Sequence, residues 1–126
     1  MSCCSDVMKP IEASSCCTPK DTVASAAKAM KTSGCGCSPV VDNIENLNFV
    51  GVVTERDVCH SVASDHKTSE VTVAEIMRPV SVCCGEEDSL EEAKLKLDEH
   101  HSTSLPVVNK AGSCCGTVSS HHIHRA

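Results

Sequence analysis

Aromatic residues are almost missing from this chain: Phe49 stands alone, with no tryptophan and no tyrosine in 126 residues. A stacking platform for single-stranded bases needs several rings, so that mode of nucleic-acid binding is excluded. Positive charge is also short, with 11 lysines and arginines against 17 acidic residues and a formal net charge of −6. That balance gives no electrostatic footing on nucleic acid or on an anionic membrane. No apolar run approaches the roughly 20 residues that cross a bilayer. Met1 to Asp6 lack the charged and apolar stretches of a signal peptide, so the expected compartment is the cytoplasm. The phosphate-loop and dinucleotide fingerprints are absent, because Gly34-Cys35-Gly36 does not lead from a strand into a helix.

Cysteine, in contrast, is abundant. The count of 11 is odd, and four sets are vicinal: Cys3-Cys4, Cys16-Cys17, Cys83-Cys84 and Cys114-Cys115. Neighbouring side chains on a strand point to opposite faces, so these are poor partners for each other. The Cys-x-x-Cys spacing from which zinc sites are normally built does not occur. In a reducing compartment the simplest role of such residues is that of a small buried hydrophobe. Cys35-Gly36-Cys37, His100-His101 and the trio His121, His122 and His124 raise the question of a metal. Ligand types without a recognisable spacing are weak grounds, and no metal site is expected. No local Cys–His signature marks a nucleophile, so no catalytic residue is assigned and no enzyme is expected.

The chain states one pattern twice. Pro39-Val40-Val41-Asp42 returns 67 positions later as Pro106-Val107-Val108-Asn109, and Cys16-Cys17 returns at the same offset as Cys83-Cys84. Val7-Met8-Lys9-Pro10 is echoed by Ile76-Met77-Arg78-Pro79, and Gly51-Val52-Val53-Thr54 by Gly116-Thr117-Val118-Ser119. Each copy alone would be marginal in size, so the two, 1–66 and 67–126, are expected to share a core.

Within a copy the periodicities alternate between those of strand and helix. Ser14 to Cys17 reads as a strand, and Asp21 or Thr22 caps a helix with Val23, Ala26, Ala27 and Met30 on one stripe. Cys37 to Val41 and Phe49 to Val53 are strands joined by a polar turn, and Thr54 opens a helix running to about Ser64. In the second copy Ser81 to Cys84 is a strand, Ser89 and Glu92 form a capping box, and Leu90, Ala93 and Leu97 make the stripe. Leu105 to Val108 and Cys114 to Val118 are the paired strands, and a helix starts at Ser119. Val73 to Met77 is a short helix leading into the second copy. The fold class is α/β in the α+β sense: two tandem β-α-β-β-α repeats related by a pseudo-twofold, with small mixed sheets carrying helices on one face.

At the end of each third strand a hydroxyl precedes a helix start: Thr54-Glu55-Arg56-Asp57 and Ser119-Ser120-His121-His122. Thr54 as N-cap and Asp57 three residues on would satisfy free backbone donors and favour the helix dipole. His122 is a poor choice for that third position, so position 57/122 answers to something besides capping. A helix N-terminus beside a threonine also suits a phosphate.

The order Val-Met-x-Pro, strand, helix, Pro-Val-Val-Asp, Gly-Val-Val-Thr-Glu-Arg-Asp resembles the cystathionine-β-synthase (CBS) domain, in tandem, over about Asp6 to Arg125. The Cys-Cys-Thr-Pro first strand is similar to that of small stand-alone bacterial CBS pairs. The resemblance implies two clefts between the repeats that take adenosine-bearing ligands: AMP, ADP, ATP or S-adenosylmethionine. It further implies a sensing and regulatory role rather than catalysis, a homodimer formed through the helices, an effector protein as partner, and no cofactor beyond the ligand. Carried over residue by residue, Asp57 would bind the ribose hydroxyls and Thr54 the ribose or phosphate, with Arg56 adding charge toward phosphate. The base would lie against Ser15, Cys16 and Cys17 and the start of the second strand at Ser38 and Pro39. Ser119 and His122 hold the equivalent place in the second cleft. A neutral histidine offers one acceptor where a carboxylate offers several, and losing a charge-assisted bond weakens binding on the order of 10- to 100-fold. The first cleft is expected to dominate.

Overall fold

The computed structural model describes residues 3–12, 16–34, 36–78, 83–100, 104–120 and 123. The elements run α1 (Cys4–Val7), β1 (Lys9–Pro10), α2 (Val23–Ser33), β2 (Cys37–Val41), β3 (Phe49–Thr54), α3 (Glu55–Ala63), α4 (Val73–Ile76), β4 (Cys84–Gly85), α5 (Leu90–Glu99), β5 (Ser104–Val108) and β6 (Cys114–Ser119). Parts of the expected first strands, Ser14-Ser15 and Ser81-Val82, lie outside the described residues, as does most of the final helix. None of the described helices is long and apolar enough to cross a membrane.

Helix α2 forms where the apolar stripe predicts it. Thr22 caps it by accepting the Ser25 N–H at 3.2 Å. Gly34 ends it in the left-handed region (φ +73°), donating its N–H to the Met30 carbonyl. In α5 the Ser89 hydroxyl accepts from the Glu92 N–H at 3.1 Å, one arm of the expected box. Strands β2 and β3 pair antiparallel, as do β5 and β6, and Cys17 joins β2 in parallel. That parallel bridge uses the Pro39 carbonyl and the Val41 N–H. The missing N–H of Pro39 therefore costs no ladder bond.

The pseudo-twofold is visible in the backbone hydrogen bonds. Phe49 N–H donates to the Gly112 carbonyl, and Cys114 N–H donates to the Leu47 carbonyl, around the bridge between Asn48 and Ser113. The sheets reveal something that the linear repeat conceals. Strand β1, which leads into the first copy, pairs with β6 of the second, in the order β1-β6-β5-β4. Arg78, which leads into the second copy, pairs with Val52 of β3 in the first. The lead-in helices behave alike: the Cys4 N–H donates to the Asp88 carbonyl, and the Val73 N–H to the Asp21 carbonyl. Each copy thus lends its lead-in segment to the body of the other.

Gly51 and Gly116 make that exchange possible. A Cβ on Gly51 would stand 2.6 Å from the Arg78 carbonyl oxygen, and one on Gly116 would run into the Lys9 carbonyl still more closely. The repeated glycine of the third strand is there because another backbone crosses over it. Apolar side chains collect in two clusters. One joins both copies through Cys16, Cys37, Val41, Val52, Leu105 and Val118, and the other packs Val40 and Val53 of the first copy against Ala26, Met30 and Val73.

Candidate functional site

Strand β3 delivers Thr54 to the start of α3, where the spacing of Thr54 and Asp57 lets each side chain reach the other's backbone. The Thr54 side chain accepts the Asp57 N–H at 3.3 Å. Oδ2 of Asp57 accepts both the Thr54 N–H and the Thr54 hydroxyl, each at 2.9 Å. This is a complete capping box, so the capping role of the pair is realised. Capping does not exhaust the carboxylate, however. Arg78, arriving from the lead-in of the other copy, donates its Nε–H to Asp57 Oδ1 at 3.1 Å and to Oδ2 at 3.3 Å. The Asp57 side chain is 14% exposed and that of Arg78 34%. An ion pair therefore joins the two repeats.

The other expected residues fall into place unevenly. Cys37 pairs with Thr54 and Ser38 with Val53, so the start of β2 lies beside the start of α3. Ser38, Pro39 and Cys17 form one knot: the Ser38 hydroxyl donates to the Cys17 sulfur at 3.6 Å, and the Cys17 thiol donates to the Pro39 carbonyl at 3.7 Å. Burial pushes the Cys17 thiol up to about 11, against the opposing pull of the Ser38 hydroxyl. All three side chains are buried, so what they offer a ligand is backbone and shape rather than surface. Cys16 points the other way, into the core shared by both copies, as adjacent positions on extended chain require. Arg56 is exposed on the first turn of α3. At the equivalent place in the second copy Ser119 is half-buried at the end of β6, and His122 lies outside the described residues.

Arg78 was not among the residues expected from the sequence. Its signal was present in the echo of Lys9 by Arg78, a basic residue at the same place in both lead-ins. The two part company in three dimensions. Lys9 donates its ammonium to the Ser33 carbonyl at 2.7 Å, at the C-terminal end of α2, where a cation suits the helix dipole.

The described cysteines are free thiols, and six of them are buried. Cys4 and Cys84 meet inside the core: a hydrogen bond from Cys84 lowers the Cys4 thiol against the upward push of burial, and the same contact raises Cys84. Among the described residues no group of three or more His, Cys, Asp or Glu is placed to hold a metal ion. Cys35, His101, His121 and His124 lie outside them.

A pair of pseudosymmetric α+β repeats with exchanged lead-in segments, and a capped carboxylate ion-paired across the repeats, defines a tandem module. The sequence profile of the CBS domain matches residues 4–64 and again 73–126, and the chain belongs to the CBS-domain family. Homoserine O-acetyltransferase of Methanococcus vannielii is 27% identical over 103 residues, which cover 82% of this chain and 20% of that enzyme. CBS domain-containing protein YhcV of Bacillus subtilis is 29% identical over 93 residues, covering 74% of this chain and 64% of that protein. This chain thus spans about a fifth of the length of the first of these relatives.

Solved structures resemble it over nearly its full extent. Hypoxic Response Protein I, with two coordinated zinc ions, has a TM-score of 0.82 at 22% identity and covers 98% of both chains. CBSX2 in complex with AMP has a TM-score of 0.78 at 23% identity, covering 99% of this chain and 95% of that one. The CBS domain pair of protein MJ0100, with 5′-methylthioadenosine and S-adenosyl-L-methionine, has a TM-score of 0.79 at 21% identity, covering 99% and 94%. At these identities the likeness is one of fold.

Proposed function

We propose that this chain is a non-catalytic sensor module that takes an adenosine-containing ligand in the cleft at Thr54 and Asp57 and passes its occupancy to a partner protein. The observation that carries this reading is the Asp57 carboxylate, fixed by Thr54 at a helix start and reached across the cleft by Arg78 of the other repeat. A ribose diol that takes over Asp57 breaks a contact between the repeats. Binding is thereby linked to their relative placement. Complexes of CBSX2 with AMP, and of the MJ0100 pair with adenosine-bearing ligands, support the ligand class. A homodimer through the helices accords with Val62 and Leu95, which are 56% and 65% exposed. A groove of about 470 Å³ between α2 and α3, lined by Ala27, Met30 and Val58, accords with it too. The cytoplasm is the compartment in which so many free thiols persist.

A thermal-shift screen of adenosine ligands tests the reading directly. A ligand at 100 times its dissociation constant stabilises the fold by about 2.7 kcal/mol. A flat response to AMP, ADP, ATP and S-adenosylmethionine alike would dispose of it.

The contact between Cys4 and Cys84 favours a second reading, a thiol-based sensor on the same scaffold. Thiol titration after hydrogen peroxide treatment separates the two. Loss of two thiols, mapped to Cys4 and Cys84, supports redox sensing; an unchanged count in folded protein removes it.

A further inference from the structure

Asp57 as it stands has room for about one further donor, not the two of a ribose diol. Oδ2 receives the Thr54 N–H, the Thr54 hydroxyl and a share of the Arg78 Nε–H, while Oδ1 receives the rest of that N–H. A carboxylate has about four lone-pair sites. A sugar diol that takes two of them must push Arg78 aside. The Arg78 side chain is two-thirds buried where it stands, so its charge is only partly solvated there. A partly buried cation that loses its counter-charge is costly unless another anion replaces it.

Arg78 is also under-used. Only its Nε takes part in the ion pair, and its two terminal nitrogens make no hydrogen bond or ion pair among the described residues. Those nitrogens form the planar fork that matches a phosphate in bidentate fashion. Its place is fixed by backbone, not by side-chain chance: the Arg78 N–H donates to the Val52 carbonyl at 2.8 Å, and the Val52 N–H to the Arg78 carbonyl at 3.1 Å. The bare Gly51 beside it admits that close approach.

We infer that Arg78 is the specificity-determining residue of this cleft, releasing Asp57 to the ribose and taking the ligand's phosphate in exchange. This inference rests on the reading of Thr54 and Asp57 as the ribose site. The preferred ligand is then an adenosine bearing a 5′-phosphate. Adenosine itself leaves Arg78 without an anion, and S-adenosylmethionine brings a sulfonium cation toward it. The same exchange ties ligand charge to repeat geometry, because Arg78 belongs to one copy and Asp57 to the other.

Calorimetry on the full chain with AMP, adenosine and S-adenosylmethionine tests this. The expected order is AMP first, tighter than adenosine by on the order of 10- to 100-fold, with S-adenosylmethionine weakest. In Arg78→Met the ratio of AMP to adenosine affinity falls to about one and adenosine binding tightens, since Asp57 is released; Arg78→Lys restores part of the AMP preference. Should Arg78→Met fail to fold, the salt response of the unaltered protein still decides: AMP affinity falls with added NaCl and adenosine affinity does not. Equal affinities in the unaltered protein, or an undiminished AMP preference in Arg78→Met, overturn the role of Arg78 and leave the cleft intact. Absence of binding by all three ligands overturns both.

Discussion

The two copies share a backbone plan and differ in what they do with the same positions. The lead-in Arg78 reaches a carboxylate at the start of α3, in the other copy, whereas the lead-in Lys9 caps the end of α2, in its own copy, and the second copy has histidine at 122 where the first has the acid. On the second strand, buried Ser38 hydrogen-bonds Cys17, whereas the equivalent Leu105 is wholly buried in apolar company. Just before α2 and α5, Asp21 and Asp88 both accept a backbone N–H at 2.9 Å, but only Asp88 also holds a lysine, Lys96, at 2.7 Å. One copy carries polar contacts at Ser38 and Asp57 where the other carries apolar packing at Leu105 and a part-buried ion pair at Asp88. Equivalent positions of the two copies thus carry different contacts on one backbone plan.

That contrast is open to attack at several strengths. Leu105→Ala is expected to cost about 3 kcal/mol by leaving a cavity, and Ser38→Ala about 1 kcal/mol for its hydrogen bond; denaturant titration of both variants ranks them, and equal losses would erase the distinction. Gly116→Ala should destabilise by about 3 kcal/mol and Gly51→Ala by about 2 kcal/mol, as overpacking against the crossing backbone, read as shifts in denaturation midpoint. A Gly116 variant as stable as the parent would show that β1 does not lie across β6.

Ligand affinity sharpens the comparison next. Asp57→Ala should weaken adenosine-nucleotide binding on the order of 10- to 100-fold, while His122→Ala leaves calorimetric affinity unaltered. The reverse pattern would move the working site to the second cleft. The smallest expected effect is electrostatic. Burial pushes the Asp88 carboxyl up, but the Lys96 ammonium and the Gly85 N–H outweigh it and hold the group below the usual carboxylate range. A depressed carboxylate contributes stability above its unfolded value, near 3.9, and loses it as pH falls through the folded value. Asp88→Asn should therefore cost about 1 kcal/mol at pH 7, more than Asp21→Asn. That excess should shrink in melts as pH falls below the unfolded value and through the folded one. A gap that persisted in acid would deny the ion pair its part.

Much of this was legible in the residues themselves. Stripes such as Val23, Ala26 and Met30 specify helices by local periodicity, and the short buried runs Cys37 to Val41 and Leu105 to Val108, bounded by polar turns, specify strands. The Thr54–Asp57 box followed from spacing alone. Helix α1 and strand β1 did not, because four residues and two residues carry too little periodicity to register. Their conformation is imposed by Asp88, Glu86 and β6, far along the chain. Arg78 stayed hidden for the same reason. A lone arginine before Pro79 has no visible target until the exchange of lead-in segments sets it beside Asp57.

That exchange also sets an order of events in folding. The strand pairings of the first sheet and its crossing segment span only residues 17–78. The second sheet joins Lys9 to Thr117, across almost the whole chain, and loop closure of that span is slow. Until it happens, β6 offers an unpaired edge to any other strand that comes near, including one from a nascent copy of itself.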